Sequence, residues 1–389
     1  MAATPEQLDW LRLSRISGIG PARQRSLLAA FGLPSQIFAA SQASIASVIG
    51  SDAARALLEA PEAGWLEAAG HWLEGADHHL ITLADPHYPA TLLEIADPPV
   101  LLYLKGRVEL LQRPGFAIIG ARSASVQGET NAEAFARHLA SHGLCIVSGL
   151  AAGIDAAAHA GALAASEGAD ESTGSTIAVI GTGIDRIYPA RNAALARRIA
   201  ASGAIISEFP LGTPPLSHNF PRRNRLIAGL AQGVLVVEAA LNSGSLITAR
   251  LASEQGREVF AIPGSIHSPL VRGCHRLIRD GAKLVETAED IVEELRGRMG
   301  STLPSALRQS AAPPSASRTN RTAAPAQLAL DTLDADSRAV LETLGHDPLD
   351  IDSLATRCNL TVDALYAILL PLELDGLLAR LPGGRVQRR

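Results

Sequence analysis

The stretch FAIIGARSASVQGETNAEAFARHLASHGLCIVSG, residues 116–149, decides the fold of this chain. It reads as an apolar run rich in β-formers, a turn with glycine and serine, a helical stretch and a second apolar run. Five more such runs follow: TIAVIG (176–181), AIISE (204–208), GVLVVEA (233–239), EVFAIPG (258–264) and AKLVET (282–287). Buried strands that alternate with helices predict an α/β, Rossmann-like, doubly wound and mostly parallel sheet, covered on both faces. We assign this core to residues 81–297 and expect ligands beyond the carboxyl ends of its strands.

Residues 1–80, before the core, are predicted to form a helical domain. Within it, GIGPARQRSLLAAFG (18–32) places a Gly-x-Gly turn before an apolar-periodic helix. This order resembles a helix-hairpin-helix (SAM-like) unit, whose turn can offer backbone N–H groups to a DNA phosphate. A bundle that only packs the chain would show the same pattern, so both interpretations stay open.

After the core, the composition changes twice. Residues 298–331 are rich in Ser, Ala, Pro and Arg and lack periodicity, which predicts a flexible linker. Residues 332–389 read as helix, turn, helix and a hairpin around Pro382-Gly383-Gly384, the order of a winged-helix domain. Its second helix, TVDALYAILLPLELDG, contains no basic residue, which argues against reading a DNA groove.

Composition limits the function classes. The net charge of −5 provides no chain-wide basic field, so any nucleic-acid site must be a local patch. The three cysteines are far apart in sequence, which disfavours a zinc site or a disulfide framework, and no metal or cofactor is expected. We find no signal peptide and no apolar run of membrane length, and therefore expect a cytoplasmic protein.

The loop after the first apolar run contains candidate phosphate ligands. Gly120 allows a close backbone approach, Arg122 adds charge, and Ser123 adds a hydroxyl before a helix N-terminus. The spacing matches neither GxGxxG nor a Walker P-loop, so a dinucleotide or nucleoside triphosphate site is disfavoured. A plain surface turn remains the alternative.

The second loop, SGLAAGIDAAAH (148–159), adds Ser148 and Gly149 as candidates. Asp155 and His159 follow at a helical i,i+4 spacing. We expect structural roles for both of them rather than acid–base catalysis.

The segment HNFPRRNRLIAGLAQG (218–233) concentrates positive charge. Arg222, Arg223 and Arg225 lie near the start of a helix, where cations oppose the helix dipole, and Asn224 lies among them. Such an arrangement suggests a compensating phosphate, and Phe220 could stack on an unpaired base. The alternative is that one arginine pairs with Glu208 or Glu238 and that Phe220 is a core residue. We expect a mixture: one arginine is structural and at least one binds DNA.

A last anion cradle is predicted where Ser243, Gly244 and Ser245 open a helix. Glu238, just before it, is interpreted as a buried carboxylate that orients arginines rather than as a general base. No nucleophile–base pair or metal site is evident, so we expect no catalytic residues and no enzyme activity.

Several long motifs in fixed order together resemble the DprA/Smf family. They are SGLAAGIDAAAH, IAVIGTGIDRIYPARN, ISEFP, FPRRNRLIAGL, VVEAALNSGSLITARLASEQGREVFAIPG and RGCHRLIRDGA. The resemblance covers the whole core and, more loosely, the flanking units. It implies a protein that binds and protects single-stranded DNA, forms a homodimer and loads the recombinase RecA during natural transformation.

The family pattern also assigns residues. Arg122 resembles the family's pocket arginine, and residues 220–225 resemble its FPxRNR segment. The turn is usually Gly-Ser-Arg, whereas Ala121 stands in its middle here. Arg191 replaces a lysine that is common near the YPxxN segment, and residues 216–218 offer no basic replacement for a second one.

Two enzyme hypotheses compete with this reading. A nucleotide or phosphoribosyl hydrolase of the lysine-decarboxylase-like type would need a PGGxGT loop, which the chain lacks. A nicotinamide-dependent enzyme would need the missing dinucleotide fingerprint. For the dimer, Leu277 and Ile278 are candidates, because neighbours about 100° apart on a helix need not both face the sheet. Both could equally be core residues.

Overall fold

The computed structural model of the chain describes residues 3–16, 18–59, 64–166, 174–299, 334–344, 348–381 and 384–388. The N-terminal unit is helical, as predicted. Its helices are α1 (Pro5–Ser14), α2 (Pro21–Phe31), α3 (Pro34–Ala39), α4 (Gln42–Ile49), α5 (Ser51–Leu58) and α6 (Trp65–Leu73). A capping box between Thr4 and Gln7 begins α1. Buried Leu13, Leu27 and Ile45 contribute to a small core between these helices.

The central unit is a nine-stranded sheet with helices on both faces. The strands are β1 (His78–Thr82), β2 (Leu101–Gly106), β3 (Gly115–Ile119), β4 (Cys145–Ser148), β5 (Thr176–Val179), β6 (Ala204–Ser207), β7 (Ala231–Val236), β8 (Glu258–Ala261) and β9 (Lys283–Leu284). The helices are α7 (Ala90–Leu93), α8 (Val126–Ser141), α9 (Ile154–Ser166), α10 (Ala193–Ser202), α11 (Asn219–Gly229), α12 (Ser245–Glu254), α13 (Arg272–Arg279) and α14 (Ala288–Met299). This architecture confirms the predicted fold class.

The strand order is β1-β2-β6-β5-β4-β3-β7-β8-β9. From β3 the chain winds outward through β4, β5 and β6, and then returns to place β7, β8 and β9 on the other side of β3. The winding direction therefore reverses between β3 and β7, whose pairing is parallel. In doubly wound sheets the ligand site lies outside the carboxyl ends of the strands at such a reversal.

The antiparallel strands β1 and β2 were not predicted. β1 pairs with β2 in the register His78↔Lys105, and β2 pairs with β6. β1 begins with two histidines and no long crossover helix joins it to β2, so neither run fits the alternating pattern of the core. The domain boundary predicted at residue 80 consequently falls inside β1.

Two apolar layers hold the sheet. On one face, the buried side chains of Leu226, Ala249 and Cys274 bring α11, α12 and α13 onto the strands. On the other face, Phe135, Ala158 and other apolar residues of α8, α9 and α14 pack against Phe116 and Phe260. The strands that carry the site are thus buried on both sides, which fixes the positions of the loops that follow them.

The C-terminal unit has winged-helix order, as predicted. Its elements are α15 (Ala335–Leu344), β10 (Leu349–Asp350), α16 (Ile351–Cys358), α17 (Val362–Leu374), β11 (Leu378–Leu381) and β12 (Arg385–Arg388). The strands pair in the order β10-β12-β11. α17 exposes an apolar row, Val362, Tyr366, Leu370 and Leu374.

Two predicted segments cannot be compared with the structure. Nearly all of the linker, residues 300–331, and residues 382–383 of the hairpin lie outside the described residues. Within the described ranges, the helices are too short or too polar to cross a membrane.

Candidate functional site

A cavity of about 640 Å³ lies beyond the carboxyl ends of β3 and β7, where the winding direction reverses. Five segments converge on it: the turn after β3, the loop between β4 and α9, the loop after β5, the start of α11 and the start of α12. Eight of the predicted DNA-binding residues line this cavity. They are Gly120, Arg122, Phe220, Arg223, Asn224, Ser243, Gly244 and Ser245.

Arg122 and Phe220 form the polar–aromatic centre of the cavity. The guanidinium carbon of Arg122 lies 5.8 Å from the centroid of the Phe220 ring. Arg122 is exposed, as is Ser123 beside it, and Phe220 is half-buried. A cation and an aromatic face that both reach solvent can contact a phosphate and a base of one nucleotide.

Tyr188 is a cavity residue that the sequence analysis missed. Its ring centroid lies 5.6 Å from that of Phe220, with the planes tilted by 44°, and 46% of the residue is exposed. The available signal was an aromatic residue after β5 in a chain with only four tyrosines. Tyr188 and Phe220 together provide two neighbouring ring faces.

The starts of α11 and α12 add backbone dipoles. Ser243, Gly244 and Ser245 border the cavity, and the Ser243 and Ser245 hydroxyls lie 2.6 Å apart in a mutual hydrogen bond. A Cβ at Gly244 would meet no atom within 4 Å, so this face of the helix start is open. The N-termini of α11 and α12 face the same space and favour an anion there.

Gly120 is required by the protein itself. A Cβ at this position would lie 2.6 Å from Cγ1 of Ile154 and 2.9 Å from the Glu238 carbonyl oxygen. The glycine therefore allows β3 and α9 to approach each other. The close approach seen here is between two parts of the protein, and the approach of a phosphate to Gly120 stays a prediction.

The predicted role of Glu238 is wrong. Its carboxylate accepts hydrogen bonds from the backbone N–H of Ser125, at 2.9 Å, and from the Ser125 hydroxyl. Ser125 in turn caps α8 by accepting from the Gly128 N–H. Burial raises the pKa of Glu238. Glu238 thus anchors the start of α8, and none of the arginines that the structure describes is paired with it.

Arg223 lines the cavity but is 5% exposed, and its Nη1 donates to the Val179 carbonyl at 2.8 Å. Desolvation lowers the pKa of Arg223 to about 10, and nearby Asp155 opposes that shift. A Cβ at Gly149 would lie 1.8 Å from Nη1 of Arg223. Gly149 is therefore needed to make room for this arginine, which has a structural role.

Ser148 and Gly149 do not reach the cavity surface, contrary to the prediction that both contact DNA. The Ser148 side chain is fully buried and its hydroxyl donates to the Ile118 carbonyl at 2.6 Å. The Gly149 N–H donates to the Asp155 carboxylate at 3.1 Å. These residues shape the loop from inside.

Asp155 and His159 have the structural roles that were predicted. Burial raises the pKa of Asp155, which accepts from the loop backbone. His159 is fully buried, accepts from the Leu150 N–H at Nε2 and lies 2.7 Å from the Thr176 hydroxyl at Nδ1. Burial lowers the pKa of His159 to about 3, so the ring stays neutral.

Arg222 and Arg225 project to the side of the cavity, onto Glu208. Nη2 of Arg225 lies 2.5 Å from Oε2 of Glu208, and Nη2 of Arg222 lies 3.4 Å from the same oxygen. The Arg225 side chain is 11% exposed and that of Arg222 is 45% exposed. Burial raises the pKa of Glu208, and the two arginines oppose that shift. Arg191 is exposed outside the cavity lining.

The described residues hold no group of three His, Cys, Asp or Glu side chains placed to bind a metal ion. The site instead combines an exposed arginine, hydroxyls at helix N-termini and two aromatic rings at the reversal point of a doubly wound sheet. These features define a Rossmann-like protein with a candidate anion-binding site, to which a winged-helix unit is appended.

Comparisons with known proteins narrow this class to one family. Residues 79–296 match the family of DNA recombination-mediator protein A, and residues 324–384 match the DprA winged helix domain. The chain is 42% identical over 325 residues to protein Smf of Escherichia coli (strain K12), which covers 83% of this chain and 81% of that one. The chain therefore belongs to the DprA/Smf family.

Other relatives agree. The chain is 49% identical over 213 residues to the DNA processing protein DprA of Streptococcus pneumoniae, covering 55% of this chain and 73% of that one. The X-ray structure of the S. pneumoniae protein matches with a TM-score of 0.64 at 39% identity, over 76% of this chain and 99% of that one. A Helicobacter pylori DprA structure, solved to describe a single-stranded DNA binding mode, matches with a TM-score of 0.50 at 30% identity, over 56% of this chain and 96% of that one.

Proposed function

We propose that this protein binds single-stranded DNA in the cavity at the sheet reversal. The observation that carries the proposal is the placement of exposed Arg122 against Phe220, with Tyr188 as a second ring. A strand without a partner exposes both phosphates and base faces, whereas a duplex hides its base faces. The H. pylori relative, whose structure concerns single-stranded DNA binding, supports the same reading.

In this proposal one set of residues contacts DNA phosphates and another set contacts DNA bases. Arg122, Ser123 and the starts of α11 and α12 bind phosphates, and Phe220 and Tyr188 stack on bases. Asn224 borders the same space. Arg191 and Arg222, both exposed, extend the path beyond the cavity, whereas Arg225 is structural.

We further infer that the bound strand is protected and handed to the recombinase RecA during transformation, without chemical turnover by this protein. Asp155, the carboxylate among the cavity-lining residues, accepts hydrogen bonds from backbone N–H groups, and Glu238 accepts from Ser125. The cysteines bear on the proposed cytoplasmic location. Two of the three thiols, Cys145 and Cys274, are buried and unpaired, which suits the reducing cytoplasm.

A homodimer is part of the proposal. Leu277 and Ile278 are partly buried and pack against the core, so neither is fully free. Ile278, however, lines a groove of about 370 Å³ beside Leu241 and Leu284, which are 45% and 50% exposed. Apolar residues exposed together at the end of a sheet favour a two-fold contact in which the same patch meets itself.

The proposed function is tested by RecA filament formation on a single-stranded oligonucleotide. The full chain should shorten the lag before filament growth, and the Arg122→Ala variant should do so less. A lag that the folded wild type leaves unchanged would contradict loading. Failure of the labelled oligonucleotide to bind would contradict the DNA site itself.

A further inference from the structure

An alternating chain of charges connects the N-terminal helical unit to the side of the DNA site. Nη1 of Arg25, on α2, lies 2.6 Å from Oδ1 of Asp97. The other Asp97 oxygen, Oδ2, lies 3.5 Å from Nε of Arg225. Arg225 then contacts Glu208, and Glu208 also contacts Arg222. Three guanidinium groups thus share two carboxylates.

Burial decides which charged residue of this ion-pair network can leave its partner. Glu208 is 3% exposed, and both arginines reach its Oε2 atom, while its buried Oε1 has no hydrogen-bond partner. Arg225 is 11% exposed and would be left as a nearly buried charge if it lost its carboxylate, which is costly. Arg222 is 45% exposed and can be solvated when it leaves. Arg222 is therefore the residue of the network that can leave Glu208 at the lowest cost.

We propose that the Arg25–Asp97–Arg225–Glu208 chain sets how readily Arg222 leaves Glu208 to bind a DNA phosphate. In this way the N-terminal unit adjusts the charge offered by the DNA site. The inference rests on the proposed single-stranded DNA function. It assigns Arg25 and Asp97 as positioning residues, because they act through Arg225 and Glu208 rather than by touching DNA.

The direction of each effect follows from the sharing of charge. Without the Asp97 charge, Glu208 alone must balance the buried Arg225, so its hold on Arg222 weakens. Without Arg25, Asp97 serves Arg225 alone, and more of the Glu208 charge remains for Arg222. The Asp97→Asn variant should therefore bind single-stranded DNA more tightly, and Arg25→Ala should bind it more weakly.

The test measures the affinity of the full chain for a labelled single-stranded oligonucleotide at several salt concentrations. Asp97→Asn should raise the affinity about threefold or more, a size typical of coupling within one ion-pair network. It should also steepen the log–log salt dependence by up to about 0.7, the value of one added phosphate contact. Asp97→Glu keeps the charge and should restore wild-type behaviour.

Two control variants each remove one charge of the same sign at a position that is not part of the Arg25–Asp97–Arg225–Glu208 ion-pair network. Arg55→Ala removes an exposed arginine from α5 of the same helical unit, where it pairs with Asp52. Glu94→Gln removes a carboxylate three residues before Asp97, where it pairs with Arg257. Both controls should bind DNA like the wild type, with thermal denaturation confirming that every variant is folded.

The decisive experiment measures the effect of Asp97→Asn on oligonucleotide affinity in a protein that also carries Arg222→Ala. The gain should disappear there, because the arginine that would be released is missing. A gain of equal size in that background would show a general field effect and overturn the proposal, as would an unchanged affinity in Asp97→Asn alone. A wild type that does not bind the oligonucleotide would instead contradict the proposed function.

Discussion

Arg122 and Phe220 meet across the reversal point of the sheet, with the guanidinium carbon 5.8 Å from the ring centroid. One residue belongs to the turn after β3 and the other to the first turn of α11. The sheet order brings these distant segments together, because β3 and β7 are neighbours and α11 leads into β7. A cation therefore lies beside an aromatic ring in the lining of the cavity.

Replacement of Arg122 by alanine should weaken single-stranded DNA binding and flatten its salt dependence. Loss of one phosphate contact lowers the log–log slope by about 0.7 on a single strand. Fluorescence anisotropy at several salt concentrations measures this slope. Arg137→Ala, which removes an exposed arginine paired with Glu133 on α8, serves as the control. If both variants keep the wild-type slope, Arg122 does not contact the DNA.

The two rings should contribute by stacking. Phe220→Ala and Tyr188→Ala should each cost about 1–3 kcal/mol of affinity for single-stranded DNA. Tyr188→Phe keeps the ring face and should bind normally, and Tyr366→Ala on the winged-helix unit is the control for loss of an exposed ring. A variant that melts earlier but binds with unchanged affinity would assign its ring to packing alone.

The sequence predicted the core strands and the convergence of the loops well, because buried parallel strands leave continuous apolar runs that end in glycine or serine. Convergence then follows from topology, since parallel strands end at one edge. Gly120 and Arg122 could be chosen on this basis. Tyr188 was missed because it does not directly follow β5, and only the tertiary packing of its loop brings the ring back to the cavity.

Which arginine has which partner was also beyond the sequence. Arg222, Arg223 and Arg225 are near neighbours in one helix, yet their partners come from three distant segments: Glu208, the Val179 carbonyl and Asp97. Glu238 was misinterpreted for the same reason. Its partner Ser125 is the N-cap residue of α8 and lies far away in sequence.

His159 should make folding stability depend on pH. Its pKa is about 3 in the folded chain against 6.5 for an unperturbed histidine, so the folded state excludes a proton that the unfolded state binds. Its contribution is complete above pH 6.5 and is lost as the pH falls toward 3, by at most about 1.4 kcal/mol per pH unit. The free energy of unfolding, measured by urea denaturation at several pH values between 7 and 5, should fall less steeply with decreasing pH for His159→Asn than for the wild type. The same pH dependence of the free energy of unfolding in both proteins would mean that His159 is not held neutral.

The dimer should depend on the groove at the end of the sheet. Ile278→Arg places a charge beside Leu241 and Leu284 and should convert a dimer to a monomer in light scattering. Leu33→Arg makes the same type of change at a 42% exposed position of the N-terminal unit and should leave the dimer intact. A wild-type monomer at micromolar concentration would refute the homodimer, and a dimer that survives Ile278→Arg would move the interface elsewhere.

The central claim, that the cavity binds DNA through phosphates and unpaired bases together, is tested most directly by a competition titration. Single-stranded oligonucleotide and blunt duplex of equal length compete for the full chain across a range of salt concentrations. We predict preference for the single strand at every salt concentration, with little dependence on base sequence, and a smaller preference in Tyr188→Ala because one stacking surface is lost. Equal affinity for the single strand and the duplex would contradict the account.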